Sequence, residues 1–199
     1  MKRLLLIAIT ALISVSSKAQ DKNSAALDTI PVINGIYQYQ EVVTVDNSVK
    51  KDQLYKNAKV YFIDVFNNTR DVIQYDDKEE GKIIGKGFFT ECDNKMVFAG
   101  VAYLKWDVHY NTEIICKDGK YRLRFYDIVI TQNAHLAQYN YGTQYLTAKD
   151  VYDRLPLQKG AYKTLYPRLI NRMVAQLKAS TNTLKEYMIK KQPGVSAEF

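Results

Sequence analysis

Thr112-Glu113-Ile114-Ile115-Cys116-Lys117-Asp118-Gly119-Lys120-Tyr121-Arg122-Leu123-Arg124-Phe125 decides the fold. Asp-Gly between two runs of alternating apolar residues signals a two-residue hairpin in a type I′ turn, because both central residues must take positive φ. The turn sets the register. With Lys117 opposite Lys120, Cys116 meets Tyr121, Ile114 meets Leu123, Thr112 meets Phe125 and Val108 meets Val129. These share one face with Trp106 and Leu104, which reads as the core face. The other face pairs Glu113 with Arg124, Asn111 with Tyr126, His109 with Ile128 and Asp107 with Ile130.

Upstream of the hairpin, Lys82 to Thr90 reads as a strand carrying Gly85 and Gly87, joined through the charged turn Asp76 to Gly81 to a strand at Val72 to Tyr75. The glycines lack the Lys-Ser/Thr ending and the helix of a phosphate loop, so bulges or close helix packing account for them. Leu54, Tyr55, Ala58, Tyr61, Phe62, Val65 and Phe66 recur at helical spacing, and Asn47 or Ser48 is the expected cap. A first strand is expected over Ile36 to Val45. Downstream, Asn133 to Gly160 shows no clear period and reads as a long loop holding His135, Tyr139, Tyr141 and Tyr145. A final helix spans about Thr164 to Lys190, with Leu169, Met173, Leu177, Leu184 and Met188 on one side. The predicted order β-α-β-β-β-β-α makes a two-layer α+β domain, an antiparallel sheet with two helices on one face and the other face open to water.

The stretch Asp71-Val72-Ile73-Gln74-Tyr75-Asp76-Asp77-Lys78-Glu79-Glu80-Gly81-Lys82-Ile83-Ile84-Gly85-Lys86-Gly87, with Lys117-Asp118-Gly119-Lys120-Tyr121-Arg122 leading to Phe125 and Asp127, resembles an uncharacterised family of exported bacterial proteins. This is domain-of-unknown-function family 4468, described as having a TATA-binding-protein-like (TBP-like) fold. The resemblance covers roughly Ile36 to Gln132 and implies that fold. It implies no reaction, no cofactor and no catalytic residue, and a fold name does not bring DNA binding with it.

The N-terminus supplies an address. Lys2 and Arg3, the apolar run Leu4 to Val15 and the small-x-small site Ser17-Lys18-Ala19 form a cleavable signal peptide, residues 1–19. The apolar run is short of the roughly twenty residues of a spanning helix. No cysteine stands at the cleavage point, so the expected product is a periplasmic or secreted chain without a lipid anchor or integral membrane span. Residues 20–34 read as a flexible leader, 35–191 as a single domain and 192–199 as a flexible tail. Cleavage lowers the net charge from +7 by the three of Lys2, Arg3 and Lys18 to +4, which with export makes nucleic acid an unsuitable partner. Lys159 to Lys191 holds eight Lys or Arg residues and one acid, Glu186, and reads as a solvated basic helix face.

Chemistry is sparse. Cys92 and Cys116 are expected at opposite ends of paired strands, roughly 40 Å apart at about 3.3 Å per residue, beyond the reach of a disulfide. The two histidines, His109 and His135, sit in no nucleophile signature. A zinc site from Cys92, Cys116, His109 and His135 lacks paired short spacing, and Asp76, Asp77, Glu79 and Glu80 read as a hairpin turn rather than a calcium loop. No metal or cofactor is expected. The reading is therefore a non-catalytic binding or interaction domain for an envelope protein or small molecule. Its candidate ligand-binding residues are Tyr103, His109, Arg122, Arg124 and Tyr126 on the open face, where Ile128 and Ile130 are also expected, together with Tyr139 and Tyr141 in the loop. The alternatives are a carrier holding a small apolar ligand between sheet and helices, and a small hydrolase.

Overall fold

The computed structural model describes residues 27–66, 72–98, 100–136 and 138–189. The readings of a signal peptide, of the first part of the leader, residues 20–26, and of the tail fall on residues outside these. Eight strands are present among the described residues: β1 (Val32–Ile33), β2 (Ile36–Tyr37), β3 (Tyr39–Thr44), β4 (Ile73–Asp77), β5 (Lys82–Val97), β6 (Gly100–Lys117), β7 (Lys120–Leu136) and β8 (Tyr139–Thr147). Helix α1 (Lys51–Phe66) precedes β4, and α2 (Ala148–Arg154), a 3₁₀ turn (Leu155–Leu157) and α3 (Tyr162–Ile189) follow β8. The main sheet is antiparallel in the order β3-β7-β6-β5-β4, and β8 pairs with the far half of β7 on the edge that β3 occupies in the near half.

The hairpin forms in the register read from the sequence, from Lys117–Lys120 to Asn111–Tyr126, but its turn is not the expected type I′: Gly119 has φ of 70°, whereas Asp118 does not take positive φ. Beyond them a bulge intervenes. Asp127 adopts φ of 50°, Tyr110 spans the extra residue, and every later pair moves by one, so that Val108 faces Ile130, His109 faces Val129 and Asp107 faces Thr131. Side chains alternate strictly along a strand, so one extra residue exchanges the two faces. The buried set on β7 thus changes from Tyr121, Leu123 and Phe125 to Ile128, Ile130, Gln132 and Ala134. The expectation that Ile128 and Ile130 lie on the open face is corrected here: both are core residues.

Helices α1 and α3 cover the face that holds Leu104, Trp106, Val108, Tyr110 and Ile114. Helix α1 buries Leu54, Tyr55, Ala58, Tyr61 and Phe62, and α3 buries Leu165, Leu169, Met173, Leu177, Leu184 and Met188, both at helical spacing. Contact with β5 is close. A Cβ added to Gly85 would lie 2.4 Å from Phe62 Cε1, and one added to Gly87 would lie 2.2 Å from Tyr110 Cζ. Gly85 serves close helix packing, one of the two readings made from the sequence, whereas Gly87 makes room for a ring of the neighbouring strand β6.

The start of α1 differs from expectation. Asn47 and Ser48 do not cap it; the carboxylate of Asp118, in the β6–β7 turn, accepts from the Lys51 N–H at 2.8 Å. The turn is also tied to the helix approach by Gly119 N–H to Val49 C=O at 2.9 Å and Val45 N–H to Gly119 C=O at 2.8 Å. The Ser48 N–H is taken instead by Asp46 Oδ1 in a local Asx turn. The same turn that sets the sheet register therefore sets the first residue of the helix.

Residues 133–160 are not a loop. Strand β7 runs on to Leu136, β8 returns beside it, and a Thr147–Asp150 capping box opens α2. Periodicity missed β8 because its side chains are exposed except Leu146, leaving little apolar alternation. Part of the stretch expected as a leader also packs on the domain: Ile30 is buried, its N–H donating to the Tyr152 hydroxyl, and the Asp28 N–H bonds Asn171 Oδ1. Cys92 and Cys116 are free thiols, and burial pushes Cys116 up to about 12.

Strand β4 covers β5 only from Lys82 to Gly85, which leaves the rest of that outer edge without a strand partner among the described residues. Two side chains of α3 reach it. Arg172 Nη1 donates to the Cys92 carbonyl at 2.8 Å and Arg168 Nη2 to the Asn94 carbonyl at 3.3 Å.

Candidate functional site

The odd-numbered side chains of β6 face away from α1 and α3, and no helix covers them among the described residues. At the turn end of this face Glu113 is only 4% exposed. Its carboxylate lies 3.0 Å from Arg122 Nη2, 3.4 Å from Arg124 Nη2 and Nε, and 3.7 Å from Lys82 Nζ. A carboxylate is buried on a solvent-facing sheet because the long stems of three cations fold over it. Three positive charges on one negative leave a surplus, and Lys117 and Lys120 extend it toward the turn.

Aromatic rings flank the cluster. The Arg124 guanidinium sits 4.1 Å from the centroid of the Tyr126 ring, and Lys82 Nζ sits 5.2 Å from that of Tyr75. Burial, with the nearby Glu113 charge, raises the Tyr126 hydroxyl pKa, so it remains a neutral donor at physiological pH. Next to these groups, Val42, Ile115, Lys117, Lys120, Tyr121 and Arg122 line an open recess of about 370 Å³. Cations around an apolar floor, of which Arg122 is held by Glu113, suit anionic oxygens carried on a partly apolar chain.

The seven residues singled out from the sequence divide into three groups. Arg122, Arg124 and Tyr126 gather around Glu113. Tyr103 and His109 lie on the same face farther from the turn, Tyr103 with its ring 6.0 Å from His135 and His109 with its ring 4.9 Å from Phe88. Tyr139 and Tyr141 belong to β8 and lie on the helix side: Tyr139 pairs with Leu136, which packs on the core, and the Tyr141 ring is 6.4 Å from Tyr162 of α3. Sequence reasoning placed Glu113 opposite Arg124 but did not select it, and it missed Lys82. Lys82 reaches the cluster only through the β5–β6 register, which no turn residue reveals.

Other charged groups are engaged elsewhere. Asp76 pairs with Lys59 at 2.6 Å and accepts from the Tyr55 hydroxyl, and Asp77 accepts from the Glu80 N–H, as a hairpin turn requires. In the basic stretch of α3, Arg168 and Arg172 meet Asp93, Lys178 meets Asp28 and Lys185 meets Glu41. Cys116 faces the core while His109 faces away from it, so the four-residue zinc set does not assemble. Neither imidazole makes a side-chain hydrogen bond among the described residues. No helix among them is long and apolar enough to cross a membrane.

An antiparallel sheet covered on one face by helices and open on the other is a two-layer α+β architecture, and its fold is TBP-like by comparison with solved structures. A TBP-like protein from Parabacteroides distasonis superposes with a TM-score of 0.58 at 14% identity, over 82% of this chain and 99% of that one. A DUF4468 family protein from Bacteroides ovatus gives a TM-score of 0.58 at 13% identity, over 82% of this chain and 92% of that one. Residues 39–131 match the family described as a domain of unknown function (DUF4468) with TBP-like fold. No curated protein matches the chain.

Proposed function

We propose that this is an exported, non-catalytic binding domain whose open sheet face docks an acidic segment of a partner protein in the cell envelope. The observation that carries the reading is the cationic cluster around Glu113. A buried carboxylate holds Arg122, Arg124 and Lys82 in place, so the ordering of long side chains is already done before a partner arrives. The signal-peptide reading of residues 1–19 supports export. The filled core, with rings of Phe62 and Tyr110 lying against glycine backbone, speaks against a carrier enclosing an apolar ligand. Histidines without hydrogen-bonded partners speak against the hydrolase.

A labelled Glu-rich peptide titrated into the mature protein tests this reading. Binding is expected to weaken steeply with salt and to fall about tenfold or more in Arg122→Glu. A neutral peptide bound equally well, or an Arg122→Glu protein that binds unchanged, overturns it. Export has its own check: the N-terminus of protein recovered outside the cytoplasm is expected at Gln20.

A further inference from the structure

The bulge at Asp127 turns Gln132 inward, toward the helices, where the unshifted register would have left it on the open side. Gln132 is 5% exposed, and its Oε1 accepts two hydrogen bonds, from Trp106 Nε1 at 3.0 Å and from the Tyr166 hydroxyl at 2.6 Å. An indole N–H can only donate, so the amide oxygen must face Trp106 and Nε2 must point elsewhere. That nitrogen has no acceptor among the described residues. Gln132 lines a recess of about 260 Å³ with a floor completed by Leu104 and Ala134, between the far end of the sheet, α2 and the start of α3.

The walls of the recess are aromatic and its rim is polar. Tyr141 and Tyr162 stand nearly perpendicular, and Tyr162 is held by its hydroxyl donating to the His135 carbonyl at 2.8 Å. Arg154, the last residue of α2, donates from Nη1 to Gln144 Oε1 at 2.6 Å. It has no carboxylate within ion-pair distance among the described residues. The recess therefore offers at its base an amide donor with no protein acceptor among the described residues, at its rim a guanidinium that no carboxylate contacts directly, Asp150 acting on it only at longer range, and tyrosine faces between them.

A ligand matching all three needs an acceptor oxygen, C–H faces to lie on the tyrosines and a carboxylate for the guanidinium. The volume admits one sugar ring. We propose that this recess binds a single hexuronic acid residue, either as the free sugar or as the end of an acidic polysaccharide. The site lies on the opposite side of the sheet from the Glu113 cluster and does not depend on the acidic-partner reading.

The chain has a single tryptophan, Trp106, and it touches Gln132, so its emission reports occupancy directly. Galacturonate and glucuronate are titrated into the mature protein, with glucose and acetate as controls, and calorimetry confirms the affinities. Uronate is expected to saturate and to bind at least about tenfold more tightly than glucose. Arg154→Gln is expected to remove that preference, and Tyr141→Ala, at a half-exposed position, to weaken both sugars while leaving the melting temperature near that of the parent. Equal binding of digalacturonide assigns the chain end of a polysaccharide, and tenfold weaker binding assigns the free sugar; either supports the site. Uronate bound no better than glucose, affinity indifferent to Arg154→Gln in a folded protein, or no saturable change at millimolar uronate overturns the proposal.

Discussion

The β6–β7 ribbon has two halves that obey different rules. From the turn to Asn111–Tyr126 its pairing follows from Asp118-Gly119 alone, and the cationic cluster built there uses residues that a reader of the sequence can pair. Beyond Asp127 the pairing depends on one backbone angle of an ordinary residue, and the recess built there uses Gln132, which faces inward only because of that angle. The difference teaches that a turn transmits its register along a ribbon only until the first bulge. Each half then presents its chemistry on a different side of the same sheet.

The sharpest way to break this comparison is to exchange neighbours across the shift. Ile130 is fully buried and Val129 is 39% exposed, the reverse of what an unshifted ribbon gives. Ile130→Asp is expected to lose about 4 kcal/mol or more in urea unfolding, from the lost core side chain and a buried charge. Val129→Asp is expected to stay within about 1 kcal/mol. Similar losses at the two positions would remove the bulge from the account.

A smaller effect sharpens the cause. Asp127→Val places a β-branched side chain in the left-handed region and is expected to lose about 1–2 kcal/mol, whereas Asp127→Gly should be near neutral. Valine tolerated as well as glycine would mean that the angle is not what shifts the strand. The smallest effect belongs to the turn. The Lys51 N–H bonded to Asp118 lowers that carboxyl pKa from its usual 3.8, so the ionised form favours the fold. Its contribution is complete above the usual value and fades as pH falls through the lowered one. Asp118→Ala is thus expected to lower the melting temperature by a few degrees at neutral pH, with the two proteins converging in acid. A gap that persists unchanged in strong acid would refute the cap.

Legibility followed the same division. The hairpin, both long helices and the β4–β5 pair could be read because turn chemistry and apolar periodicity are local. Strand β8 could not, since an edge strand with exposed Tyr139, Tyr141 and Tyr145 has no buried face to impose alternation. The bulge was invisible because Asp tolerates positive φ without announcing it as glycine does. At the candidate site, the Glu113–Arg124 pair followed from the turn. Lys82, Arg154 and Tyr162 come from other elements, and their convergence is a property of packing rather than of any spacing along the chain.

The arginines that α3 lays over the outer edge of β5 have a consequence for how many copies can share a compartment. The Cys92 and Asn94 carbonyls that would accept from a second chain are already engaged by Arg172 and Arg168. Open edges recruit one another and seed fibrous assemblies. A guanidinium there occupies the acceptor while presenting charge instead of another edge. Helix α3 thus works as a stopper, ending the sheet where a further strand would have let it grow from molecule to molecule.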